Sequence, residues 1–181
     1  SGQWRDEGLV IRTTSADNYN AIDPDMVIDA SGNPWLALGS WNSGIKITRL
    51  DRSTMKPTGR LYSIAARGNG IEAPTVVYRD GYYYLFVSVG RCCAGLDSNY
   101  TIVYGRSRNI TGPYLDRNGT DMMRGGGSVL DRGNNRWVGP GGQDIYDTNV
   151  IVRHAYDGTD NGTPKMLINT LHWDSAGWPR Y

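Results

Sequence analysis

Apolar and polar positions along this chain fall into short runs of strand length, each closed by a turn signal. Residues 82–88 (Tyr-Tyr-Tyr-Leu-Phe-Val-Ser) form an aromatic and β-branched run, and 34–39 and 150–156 are apolar stretches of similar length. Shorter, partly alternating segments lie at 8–12, 44–48, 100–104 and 165–169. Between them, 30–34, 79–81, 111–113 and 158–162 are rich in Gly, Pro, Asn and Asp, the residues that tight turns use. The 3.6-residue period of an amphipathic helix is hard to find. Aromatic and β-branched runs broken by turns predict strands, so the expected fold class is all-β.

An internal repeat narrows the architecture. Residues 22–38 and 71–87 both read as an acid and a Pro, an apolar strand, an Asp/Gly turn and a second apolar strand, and 141–152 is a degenerate third copy. Repeats of this length containing several short strands point to β-propeller blades. The blade-like units are expected at about 20–70, 71–138 and 139–181, with 6–14 as the outer strand of a preceding blade. Closed propellers have typically 4–8 blades, so the expectation is about three C-terminal blades of a larger ring. The inner strand of a blade starts at the central axis. Asp23 and Glu72, at matching places in the repeat, are therefore expected in an axial pocket.

Composition changes this picture in two ways. Glycine is abundant, 24 of 181 residues, and the aromatics are 12 Tyr and 6 Trp against a single Phe. Rings with a polar edge suit surfaces that are half apolar and half wet, which fits a protein that handles sugars. The formal net charge of +1 argues against neutralising many phosphates and against a polybasic membrane surface. No apolar run approaches a membrane span, and no signal-peptide pattern is visible in this chain. The adjacent pair Cys92 and Cys93 builds neither a disulfide framework nor a zinc site; it reads as a vicinal disulfide or two thiols in a loop near the cleft. Sequons begin at Asn99, Asn109, Asn118 and Asn161, and triplets of this kind also arise by chance in a Gly- and Asn-rich chain.

Several motifs, in order, resemble glycoside hydrolase family 43, and within it most closely the endo-1,5-α-L-arabinanases. They are Asn-Ala-Ile-Asp-Pro-Asp at 20–25, Gly-Ser-Trp-Asn-Ser-Gly-Ile-Lys at 39–46, Gly-Ile-Glu-Ala-Pro at 70–74, the run at 82–88, Cys-Cys-Ala-Gly at 92–95, Ile-Thr-Gly-Pro-Tyr at 110–114 and Gly-Pro-Gly-Gly at 139–142. The resemblance implies part of a five-bladed propeller in a secreted enzyme that hydrolyses arabinan with inversion. It implies that Glu72 is the general acid and that Asp23 tunes and orients it. The family's general base, an Asp in a His-Asp-Pro motif, has no match: neither His154 nor His172 precedes Asp-Pro. The chain alone is therefore expected to be inactive.

Elementary chemistry asks for the same groups. Cleaving a glycoside needs an acid to protonate the leaving oxygen and a base to activate water. The acid must keep its proton near neutral pH, which burial beside a second carboxylate favours. Asp25 competes with Asp23 as the pocket acid. Trp41, Asn42 and Ser43 follow an apolar strand, where a sugar could stack; the family often has Phe-Trp before Ser-Gly, and Trp-Asn stands here. Cys92 and Cys93 are expected in a structural or substrate-contacting loop. Gln143 stands where many arabinanases carry a His beside a central ion, so it is a candidate contact, and a calcium or sodium ion is allowed but not required. His154 reads as a satisfied core histidine, and Arg153 as facing cleft or solvent. The expected partners are arabinan or its oligosaccharides, together with the missing N-terminal part of the propeller or a second copy. The alternatives are an exo-acting arabinofuranosidase or xylan-active relative, and a non-catalytic carbohydrate-binding fragment.

Overall fold

The computed structural model describes residues 2–181. Three antiparallel meanders follow one another along the chain. The first contains β1 (Asp25–Ile28), β2 (Pro34–Leu38), β3 (Ile45–Leu50) and β4 (Pro57–Ala65). The second contains β5 (Ile71–Arg79), β6 (Tyr82–Val89), β7 (Thr101–Ser107) and β8 (Ser128–Asp131). The third contains β9 (Trp137–Tyr146), β10 (Val150–Asp157) and β11 (Thr163–Thr170). A small hairpin, β12 (His172–Trp173) and β13 (Pro179–Arg180), closes the described chain. In each meander the strand that comes first in sequence lies at one edge, and β5 packs between β1 and β9.

The middle sheet explains the run at 82–88. Successive strand side chains point to opposite faces, so a strand covered on both sides must be apolar at every position. Tyr83, Leu85 and Val87 of β6 join Ile45, Ile47, Ile64 and Val103 in the seam between the first two sheets. Tyr84 and Phe86, on the other face, join Ile102, Tyr104, Ile145, Ile151 and Leu171 in the seam toward the third sheet. Trp173 and Trp178 from the closing hairpin cap that second seam, Trp173 with its ring 4.7 Å from that of Tyr84. The outward faces of the first and third sheets are less covered. Met26 and Ile28 of β1 are 55% and 48% exposed, and Met166 and Ile168 of β11 are 71% and 60% exposed.

Two expectations are corrected here. Residues 6–14 form no strand. Their backbone finds no ladder among the described residues; the Lys56 ammonium instead takes the carbonyls of Glu7, Gly8 and Leu9. Arg153 faces neither cleft nor solvent. It is buried, 2.7 Å from Asp131, and also donates to Asn169. A buried guanidinium stays charged, so the carboxylate beside it offsets the cost of taking that charge out of water.

Candidate active site

The sites of interest gather where β1, β5 and β9 begin or turn. At each of these places one residue adopts a left-handed backbone: Asp23 (φ 53°), Ala73 (φ 51°) and Gly142 (φ 58°). Placing these three in register puts Pro24 opposite Pro74 and Gln143, and Asp25 opposite Thr75 and Asp144. Asp23 and Glu72 are therefore offset by one residue, not equivalent as the repeat suggested. The extra residue in β5 is absorbed as a register shift between Glu72 and Thr75, so that Glu72 and Ala73 point differently from a regular ladder.

Asp23, Asp25 and Asp144 line a cleft of about 310 Å³ together with Ala73 and Gln143. Burial raises Asp23 above the usual carboxylate range and the nearby charge of Glu72 adds to this, while the Ala73 N–H, donating to Asp23 Oδ2 at 3.1 Å, opposes it. Asp25 is pushed up to about 6, chiefly by burial and further by Asp144, against the stabilising Val76 N–H at 2.7 Å. Asp25 is thus a real member of the cleft, although its amide partner lies on β5 beyond Ala73.

Glu72 is held from both sides. Ser40 Oγ donates to Oε2 at 2.7 Å and Tyr100 O–H donates to Oε1 at 2.5 Å. Burial and the adjacent carboxylate keep the Tyr100 phenol protonated well past its ordinary range, so it stays a donor. Neither Ser40 nor Tyr100 stood out in the sequence. They meet Glu72 through register: β6 pairs Ser88 with both Glu72 and Ile102, which brings the start of β7 to the start of β5. Ser40 arrives by a single bridge to Glu72.

The rim residues take definite places. Trp41 and Asn42 both have positive φ, 54° and 46°, in the β2–β3 loop. The Trp41 N–H donates to the Ile71 carbonyl at 2.8 Å, pinning this loop beside Glu72. Its indole lies over Gly70, where a Cβ would come within 2.9 Å of the ring, and it remains 46% exposed. Asn42 and Ser43 donate to Asn20 and Asn18. Cys92 and Cys93 are bonded to each other in the β6–β7 loop, at the same end of the sheet as Glu72.

Gln143 is buried, and its amide is already engaged: Oε1 accepts from Ser88 Oγ at 2.8 Å and Nε2 donates to the Ala73 carbonyl at 2.6 Å. Among the described residues no three His, Cys, Asp or Glu side chains converge to hold an ion. His154, on β10, is half-buried rather than a satisfied core histidine. Its ring lies 6.0 Å from that of Tyr100, burial lowers its basicity, and Nε2 has no partner among the described residues.

Comparison with known proteins identifies the family. The family model for glycosyl hydrolases family 43 matches residues 1–179. The chain is 64% identical, over its whole length, to the extracellular endo-α-(1→5)-L-arabinanase 1 of Bacillus subtilis, of which it covers 57%. It superposes on a family 43 endo-arabinanase from Bacillus licheniformis with a TM-score of 0.97 at 65% identity, covering 99% of this chain and 63% of that one. It also matches an α-L-arabinanase of Cellvibrio cellulosa solved with arabinohexaose, with a TM-score of 0.92 at 41% identity, covering 98% of this chain and 62% of that one. The chain thus spans about three-fifths of the length of these relatives. Its sheets are all-β and form part of a five-bladed β-propeller. By sequence match, by fold and by the placement of its motifs, the chain belongs to glycosyl hydrolase family 43.

Proposed function

We propose that this chain supplies the acid side of an inverting glycoside hydrolase acting on α-1,5-linked L-arabinan. The observation that carries this reading is the setting of Glu72: both carboxyl oxygens are held by hydroxyls, beside Asp23. In the complete protein Glu72 protonates the departing glycosidic oxygen. Asp23 fixes the peptide that follows Glu72 by accepting the Ala73 N–H. A general-base carboxylate outside this chain activates water from the opposite side of the sugar, roughly 6.5–9.5 Å from the acid as inversion requires. Trp41 offers its exposed ring as a platform, with Asn42, Ser43, Cys92 and Cys93 on the same rim as substrate contacts.

The names of the relatives support the substrate and an extracellular setting, and at 64–65% identity they favour internal cleavage over release from chain ends. The test is Glu72→Gln in a protein carrying the whole propeller. Loss of the transferable proton should slow arabinan hydrolysis by about 10²–10⁴-fold. An aryl arabinofuranoside whose leaving group needs no proton should lose much less. Equal loss on both substrates would make Glu72 a binding group and overturn this assignment.

A further inference from the structure

Gln143 makes contacts that neither substrate binding nor an ion requires. It lies on β9, in the third sheet, yet it reaches into the backbone of β5, in the second. Its Nε2 donates to the Ala73 carbonyl at 2.6 Å, and its own backbone carbonyl accepts from Thr75 Oγ1 at 2.9 Å. Its Oε1 accepts from Ser88 Oγ, which in turn accepts the Gly142 N–H at 3.0 Å. This second contact fixes the orientation of the amide, so that nitrogen rather than oxygen faces Ala73.

Ala73 is the residue directly after Glu72, and it has a left-handed φ of 51°. For a residue with a Cβ that conformation is unfavourable, so surrounding contacts must hold it. Two do so from opposite sides. Asp23 Oδ2 accepts the Ala73 N–H at 3.1 Å, and Gln143 Nε2 takes its carbonyl. The Ala73 N–H belongs to the peptide that leaves Glu72, so the direction of this turn determines where the Glu72 side chain starts. Ser40 and Tyr100 complete the placement at the carboxylate end.

We propose that Gln143 is a positioning residue for the acid: with Asp23 it clamps the left-handed Ala73 turn and so sets the aim of Glu72. The inference rests on the reading of Glu72 as the general acid. It gives the third sheet a share in the site without requiring any of its groups to touch substrate.

The experiment uses the protein carrying the whole propeller and compares wild type, Gln143→Met and Glu72→Gln. Methionine keeps the volume and removes both amide contacts. A small misplacement of a reacting group costs on the order of 10²-fold. Gln143→Met should therefore lower kcat on arabinan by roughly 10–10²-fold with KM little changed, and should leave the rate on an activated aryl arabinofuranoside nearly intact. If that variant does not fold, Ser88→Ala, which frees only the oxygen side of the amide, should show the same substrate dependence at smaller size. Should Glu72→Gln discriminate between the two substrates while the Gln143 or Ser88 variants do not, the clamp is wrong and the acid assignment stands. Should Glu72→Gln itself fail to discriminate, both are overturned.

Discussion

Burial raises the pKa of both Asp23 and Asp25 in the cleft. Asp25 has a pKa of about 6 in the folded chain, against an ordinary 3.8, mainly because of burial. Between those two values the folded state binds a proton that the unfolded state has released. Its stabilising contribution is fully present below pH ~4 and is lost as the pH rises through ~6. Asp25→Asn keeps an oxygen for the Val76 N–H and removes the buried charge. Melting curves should therefore show the variant gaining on wild type as the pH goes from 4 to 7, with the largest gain above 6. A constant difference across that range would mean that Asp25 is not charged against a burial penalty. The sequence made Asp23, Asp25 and Glu72 legible because each stands in a short motif beside Pro or an apolar strand. Ser40 stands in the motif at 39–46 and Tyr100 opens the segment at 100–104, but neither was singled out, because sequence does not show which side chains meet Glu72. They become partners of Glu72 only when β7 and the β2–β3 loop are brought to the start of β5.

At the scale of elements, β6 was the most readable part of the chain. Its unbroken apolar run follows from cover on both faces, and the seams confirm it. Phe86 is fully buried in the second seam, its ring 5.8 Å from that of Tyr104. Phe86→Ala should cost about 3–5 kcal/mol, as truncations of buried aromatics do, read from denaturant midpoints. A cost below about 1 kcal/mol would show that the seam collapses around the gap. The β2–β3 turn gives a second check. Gly44 has φ 80°, and a Cβ there would lie 2.2 Å from the Ala65 carbonyl oxygen. Gly44→Ala must therefore push β4 away from β3, and it should destabilise the protein strongly while an exposed Gly59→Ala does not, since nothing lies within 4 Å there. The segment 6–14 was misread for an equally physical reason. Alternation of apolar and polar residues predicts which face a strand would present, but not whether another strand is available to pair with it.

For the whole molecule, the repeat gave the kind of architecture but set its register one residue off, because Asp-Pro and Glu-Ala-Pro differ in length before the shared Pro. The first and third sheets present partly exposed apolar residues, among them Met26, Ile28, Met166 and Ile168. In a propeller such faces pack against neighbouring blades, and apolar patches left open mark a partner surface or an aggregation hazard. Sedimentation of this chain alone at micromolar concentration should show concentration-dependent association; a stable monomer over that range would show that the outer faces need no cover. The same partition governs the chemistry. On the proposed reading, the acid side of the site lies in this chain and the base in the remainder of the propeller. The most direct test is the release of arabino-oligosaccharides from arabinan by the purified chain, measured with and without the segment that carries the missing blades. The account predicts negligible release by the chain alone and hydrolysis once that segment completes the ring. Robust release by the chain alone would contradict it and would require a base among its own carboxylates, with Asp25 and Asp144 in the cleft as the first candidates.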